Sequence, residues 1–193
     1  MPSVKAEIAR AETEVKIAVV SPTAARKAVR RAGFHVHIPR VLEVNILYDF
    51  QDLRLRSQGK VLRLREAGKV STLTFKGRSK DARHKVREEV ETTVERGGAV
   101  DRVFQELHLK PVFRYEKYRT EFTCDTRGVV TLDETPIGTF LEIEGPARWI
   151  DRTAKQLGFN SADYITLSYG ALYLEYCKDL GIKPSNMVFR GHQ

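Results

Sequence analysis

Glu12, Glu14 and Lys16 stand at two-residue spacing in the run Glu12-Thr13-Glu14-Val15-Lys16. Thr, Val and Ile between charges suit a β-strand, where successive side chains point to opposite faces. The spacing predicts Glu12, Glu14 and Lys16 on one face and Thr13, Val15 and Ile17 on the other. Neighbours on one strand face stand roughly 6.5–7 Å apart. Two carboxylates at that distance can share a divalent cation, and a lysine two residues on can reach a phosphate bound to it. A solvated outer strand face would read the same way, and the triplet alone does not separate the two.

Further stretches repeat the alternation. Residues 60–66 place Arg63 and Arg65 opposite Leu62 and Leu64, and 70–76 place Thr72, Thr74 and Lys76 opposite Leu73 and Phe75. In 85–94, Arg87, Glu89 and Glu91 oppose Val86, Val90 and Val94. In 113–124, Tyr115, Lys117, Arg119 and Glu121 share a phase. Asp133 opposes Val130 and Leu132, and Glu142 and Glu144 oppose Leu141 and Ile143. An antiparallel sheet with a wet outer face gives such a pattern. Here, though, the charges are sorted by type: acidic pairs on the first and last strands, basic pairs between them.

The helices must pack somewhere. Ser21-Pro22 starts one that stops at Gly33, its Arg26, Lys27, Arg30 and Arg31 forming a solvated face. Residues 99–109 carry Val100, Val103, Phe104 and Leu107 at helical spacing before Pro111. Helices over 146–157 and 168–180 follow, ended by Gly158 and Gly181. Apolar stripes on these helices need apolar sheet surface. An α+β architecture meets both demands: an eight-stranded antiparallel β-barrel, or tunnel, with a charged interior and apolar faces outward under helices. With the first and last strands adjacent, Glu12, Glu14, Glu142 and Glu144 converge, and their hard oxygens suit Mg²⁺ or Mn²⁺. Arg and Lys on the remaining wall suit phosphate oxygens.

Composition agrees with an anionic small-molecule partner. The chain has 193 residues, 30% charged, with a formal net charge of +8 and a pI near 9.6. Charge alone would allow nucleic acid, but the bases alternate with acids and lack aromatic interleaving, which argues against it. No apolar run is long enough to span a membrane, and the N-terminus has no signal-type apolar segment. Cys124 and Cys177 offer neither a disulfide framework nor metal spacing. The expected location is the cytoplasm. A single domain over 1–183 is expected, with a tail over 184–193 that shows no packing pattern. His35 and His37 lack a third metal ligand and read as structural. Trp149, Tyr169, Tyr173 and Tyr176 read as packing, and the tyrosines leave a homodimer interface open.

The ordered motifs resemble the CYTH superfamily of triphosphate tunnel metalloenzymes, which includes class IV adenylyl cyclases and thiamine triphosphatases. They are E-x-E-x-K at Glu12 to Lys16, L-R-L-R at Leu62 to Arg65, T-F-K-G at Thr74 to Gly77 and R-E-E-V-E at Arg87 to Glu91. E-K-Y-R at Glu116 to Arg119, L-D-E at Leu132 to Glu134 and L-E-I-E-G at Leu141 to Gly145 complete the set. The resemblance implies metal acids at Glu12, Glu14, Glu142 and Glu144, with Asp133 near them. It implies triphosphate-binding bases at Lys16, Arg63, Arg65, Lys76, Lys117 and Arg119, and a catalytic set of Glu12, Glu14 and Lys16. Arg87, Glu89 and Glu91 match a mid-tunnel group of variable role. The activity it implies is metal-dependent hydrolysis of a triphosphate, with cyclisation of ATP, or binding without catalysis, as alternatives.

Overall fold

The computed structural model describes residues 10–79 and 83–191. The N-terminal segment read for a leader, residues 1–9, lies outside the described residues, as do 192–193 of the expected tail. The alternating stretches form eight strands: β1 (Arg10–Val19), β2 (His35–Asp49), β3 (Val61–Ala67), β4 (Val70–Lys76), β5 (Lys85–Val94), β6 (Lys110–Thr123), β7 (Val129–Thr135) and β8 (Gly138–Glu144). The helices are α1 (Pro22–Arg31), α2 (Arg54–Ser57), α3 (Gly97–Glu106), α4 (Ala147–Gln156) and α5 (Tyr169–Asp179).

The strands close into an antiparallel barrel in the order β1-β5-β4-β3-β2-β6-β7-β8, with β8 returning to β1. Closure brings the first and last strands together, pairing Glu14 with Glu144 and Lys16 with Glu142. The apolar phase faces out. Val15, Ile17, Phe122, Val130, Leu132, Leu141 and Ile143 pack under Val29 of α1 and Trp149, Ile150 and Ala154 of α4. On the other side, Tyr48 and Leu64 pack with Phe104 of α3. The charged phase is left to the interior, as the sorting of charges predicts. No helix among the described residues is long and apolar enough to cross a membrane.

Three expectations need correction. Residues 41–50 read as a strand from their sequence, but β2 begins at His35, because β6 is long enough to pair with it throughout; Pro39 falls where the register shifts between Ile38 and Val41, an irregularity that accommodates its missing N–H. His35 and His37 are exposed on this strand, and His37 Nε2 lies 3.9 Å from Glu121. The turn of helix α2 has no pattern in the sequence. It is nucleated by Asp49, 2% exposed, whose carboxylate accepts hydrogen bonds from the backbone N–H groups of Phe50, Leu55 and Arg56.

The third correction concerns the tail. Residues after Pro184 pack against the barrel instead of lacking a partner. Met187 is 1% exposed; its N–H donates to the Arg114 carbonyl and its carbonyl accepts from the Glu116 N–H. The reason lies in β6, which pairs with β7 only from Tyr118 onward. The earlier half of β6 would otherwise present unpaired backbone groups, and the tail occupies that edge.

The β7–β8 end shows how tightly the barrel is set against α4. A Cβ on Gly128 would lie 2.4 Å from the Glu144 carbonyl oxygen and 2.5 Å from the Trp149 ring, so backbone must move to admit it. Gly98 in α3 has nothing within 4 Å. Gly128→Ala is therefore expected to destabilise by about 1–3 kcal/mol, and Gly98→Ala to stabilise by roughly 0.5–1 kcal/mol. Urea unfolding of both variants checks the pair; equal midpoints would contradict the packing described.

Candidate functional site

Strand register fixes which charges meet. Around the barrel, Arg87 pairs with Glu12 and Lys85 with Glu14. Glu89 pairs with Lys76 and Glu91 with Thr74. Arg63 pairs with Thr74 and Arg65 with Thr72. On β2, Asn45 stands opposite Arg65 and Tyr115, and Glu43 opposite Lys117. Arg119 then pairs with Asp133. Side chains at these positions point inward and enclose a cavity of about 680 Å³. Lys16, Arg63, Arg65, Lys76, Lys117 and Arg119 all line it, as do Glu12, Glu14, Glu142, Glu144, Arg87, Glu89 and Glu91. Of the sequence-predicted residues only Asp133 stands back from the cavity wall.

Inside, opposite charges are interleaved. Lys16 Nζ lies 3.0 Å from both Glu14 and Glu142. Lys85, which sequence reasoning did not place in the site, also donates to Glu14. Lys76 Nζ bridges Glu12 at 2.7 Å and Glu89 at 2.6 Å. Arg65 meets Glu91 at 3.2 Å and Glu43 at 3.5 Å. Arg63 donates to Thr74 Oγ1 at 3.1 Å, and Thr74 donates to Glu91 at 2.8 Å. Asp133, fully buried, accepts from Lys117 Nζ at 2.9 Å, from Arg119 at 2.6 and 2.7 Å, and from the Tyr169 hydroxyl at 2.7 Å. With its oxygens taken by these donors, Asp133 serves as the counter-ion that aims two bases.

The pairing shows in proton affinities. Burial alone would raise the Glu14 carboxyl, but Lys16 and Lys85 outweigh it and Glu142, and hold it down to about 2. Glu142 is likewise held low against burial by Lys16, Arg119 and Lys117. Glu144 behaves differently: it makes no ion pair among the described residues, and burial together with Glu12, Glu142 and Glu14 pushes it up to about 8. Burial and a hydrogen bond shared with Glu12 push Glu89 up to about 7. The acidic end of the tunnel thus holds more carboxyl groups than its lysines pair with, and the surplus keeps its protons near neutral pH.

That excess, on hard carboxylate oxygens, fits a small divalent cation. As the side chains stand, no three acidic groups among the described residues are gathered closely enough to hold one, and Lys16, Lys76 and Lys85 sit on oxygens of Glu12, Glu14 and Glu142. Cation binding there requires those lysines to turn toward another anion.

Two further residues whose part pattern reading missed support the wall. Glu43, 4% exposed, lies 3.5 Å from both Lys117 and Arg65; its strand carries few charges, so only its phase with Asn45 and Leu47 marks it. Tyr169 packs as expected but also reaches Asp133. Trp149 and Tyr173 are buried packing residues.

Comparison with known proteins gives one family model, the CYTH domain, matching residues 10–169. Among solved structures, a candidate adenylate cyclase from Vibrio parahaemolyticus is similar at TM-score 0.74 and 22% identity, covering 86% of this chain and 98% of that one. A protein from Pyrococcus horikoshii is similar at TM-score 0.73 and 23% identity, over 86% and 99%. A candidate adenylyl cyclase from Hippeastrum, described as having a dominant triphosphatase activity, is similar at TM-score 0.63 and 20% identity, over 86% and 96%. At these identities the structures establish the fold. Comparison with curated proteins gives no match.

Glu43 supplies a test of the counter-ion network. Burial opposes its charge, yet Lys117, Arg119, Arg65 and Arg63 hold its carboxyl at about 2. Its charged form therefore stabilises the fold fully above about pH 5, and that contribution is lost as the pH falls toward 2. Glu43→Gln is expected to cost about 3 kcal/mol at pH 7, with the gap to wild type closing as the pH is lowered. Denaturant titrations across that range check it; a variant as stable as wild type at pH 7 would refute the counter-ion role.

Proposed function

The chain belongs to the CYTH family, and from that premise we propose that it is a divalent-metal-dependent phosphohydrolase acting on a triphosphate. The observation that carries the reading is the single cavity in which Lys16, Arg63, Arg65, Lys76, Lys117 and Arg119 face one another beside Glu12, Glu14, Glu142 and Glu144. A linear triphosphate, inorganic or borne by thiamine or a nucleoside, meets that distribution along its length. Arginine forks match its oxygens and stay charged when desolvated.

Glu12, Glu14, Glu142 and Glu144 would hold Mg²⁺ or Mn²⁺, which supplies charge neutralisation on phosphate oxygens and acidifies water. The chain's own residues do the rest. Arriving phosphates offer Lys16 and Lys76 new anionic partners, which frees the carboxylates they now occupy. Arg63, Arg65, Lys117 and Arg119 fix the polyphosphate in line and stabilise the charge that spreads over it during transfer. Glu43, Glu91 and Asp133 keep those bases extended. The barrel wall limits water to what enters along the tunnel. The triphosphatase activity described for the Hippeastrum protein supports water as the attacking group.

One observation favours a second reading. A neighbouring cavity of about 530 Å³ shares Leu47, Val61, Ser168 and Gly170 with the tunnel and is walled by Phe113 and Tyr173. It has room for an organic group on the triphosphate, including a nucleoside, and so supports cyclisation of ATP to cyclic AMP and pyrophosphate.

Tripolyphosphate, thiamine triphosphate and ATP, each with Mg²⁺ or Mn²⁺, are expected to yield phosphate and no cyclic AMP. EDTA should abolish turnover. Cyclic AMP with matching pyrophosphate would replace hydrolysis by the cyclase reading, and tight binding without product would make the protein a binder. Glu12→Gln/Glu14→Gln should lower turnover at least roughly 100-fold with the circular dichroism spectrum unchanged; full activity in that variant would sink the site assignment.

A further inference from the structure

Tyr169 is the first residue of α5, the helix that sits across one end of the barrel. Ser168 caps the helix by accepting a hydrogen bond from the Ala171 N–H at 3.2 Å. The ring packs edge-on against Phe140, centroids 5.7 Å apart, and tilts against Tyr115 at 6.2 Å. These contacts would be ordinary core packing but for what lies on the other side. The ammonium of Lys16, from β1, is 5.2 Å from the ring centroid, and that of Lys117, from β6, is 5.0 Å away. The hydroxyl donates to Asp133 Oδ2 at 2.7 Å, the oxygen that also accepts from Lys117 and Arg119.

One side chain therefore touches three members of the basic wall's network, contributed by three different strands. The aromatic face attracts each ammonium without consuming a carboxylate. That matters for a site whose lysines must leave their acids when a polyphosphate enters. Glu14 and Glu142 compete with a ligand for Lys16; the ring does not. The hydroxyl in turn fixes the Asp133 carboxylate at the back of the wall, so Lys117 and Arg119 keep their direction.

We propose that Tyr169 is a positioning residue of the triphosphate site, holding Lys16 and Lys117 by its ring and Asp133 by its hydroxyl, so that seating α5 and setting the phosphate-binding cations are one structural event. The proposal rests on the triphosphate reading above. It assigns to the C-terminal helix a part in binding as well as in closing the barrel. It also separates two effects within one residue: Tyr169→Phe keeps the ring and loses the hydroxyl, and Tyr169→Leu loses both.

The test is calorimetric binding of inorganic tripolyphosphate in EDTA, which excludes any metal contribution, with thermal melts of each variant alongside. Tyr169→Phe is expected to bind about 5-fold more weakly and Tyr169→Leu about 50-fold more weakly. A helix that merely packs would weaken the melt without moving affinity. The decisive readout is a double-mutant cycle with Lys117→Met. If Tyr169 acts through Lys117, the losses from Tyr169→Leu and Lys117→Met fall well short of multiplying; independent packing makes them multiply. Multiplying losses, or wild-type affinity in Tyr169→Leu, would overturn the proposal while leaving the triphosphate reading intact. No binding by the wild-type protein in EDTA would overturn this proposal, since the cations that Tyr169 sets would then not hold the phosphates by themselves, and would leave the metal-dependent reading to the turnover assay.

Discussion

Buried charge is the constraint on which the structure depends. An unpaired ion in a closed barrel would cost several kcal/mol, so an inward charge is matched by an opposite one or, as at Glu144, held as the neutral acid. The register supplies the opposite charges: Lys16 between Glu14 and Glu142, Lys76 between Glu12 and Glu89, and Lys117 and Arg119 on Asp133. The network also explains how a cation-rich cavity exists before any anion enters. Its charges neutralise one another in the ligand-free state, and under the proposed function a polyphosphate with its counter-cation would exchange partners with them. Little charge is created or destroyed in that exchange, so binding need not overcome the full desolvation of either side.

The pairs are not equivalent. Glu43, Glu91 and Asp133 back the bases, whereas Glu12, Glu14, Glu142 and Glu144 crowd each other where β1 meets β8. Glu144 shows the crowding most clearly, its carboxyl pushed up to about 8 by burial and three acidic neighbours. One end of the tunnel therefore gathers carboxyl groups, and the wall beyond it gathers bases. That polarity follows from closure, since β1 and β8 carry the acidic pairs and lie side by side.

The outer layers serve the same arrangement. α1 and α4 cover the apolar faces of β1, β7 and β8, α3 covers β2 to β4, and α5 with the final segment closes the end where β6 lacks a partner strand. Chain ends are often expendable, but Met187 on the β6 edge and Tyr169 on the basic wall tie this one into the barrel. His84, buried just before Lys85, is within 2.8 Å of Asp151 of α4. That contact anchors the start of β5 where Lys85 turns inward.

Much of this was legible in the sequence, because a strand's two-residue period writes its inner and outer faces directly into the order of residues. The alternation at Glu12 to Lys16, Leu62 to Arg65 and Leu141 to Glu144 determined strand, phase and the need for an enclosed polar interior. Seven charged stretches sorted by sign determined that acids would meet acids. What sequence could not determine depends on pairing between distant strands. Glu43 sits on a strand whose alternation is broken by bulges, Lys85 lies at a strand start with little phase to read, and Asp133 looks like any other inward acid until Arg119 is found opposite it. The tail has no period because it borrows its hydrogen bonds from β6. Composition and period fixed what each residue could face; only closure and register, which set distances between residues far apart in the chain, decided which partner each one met.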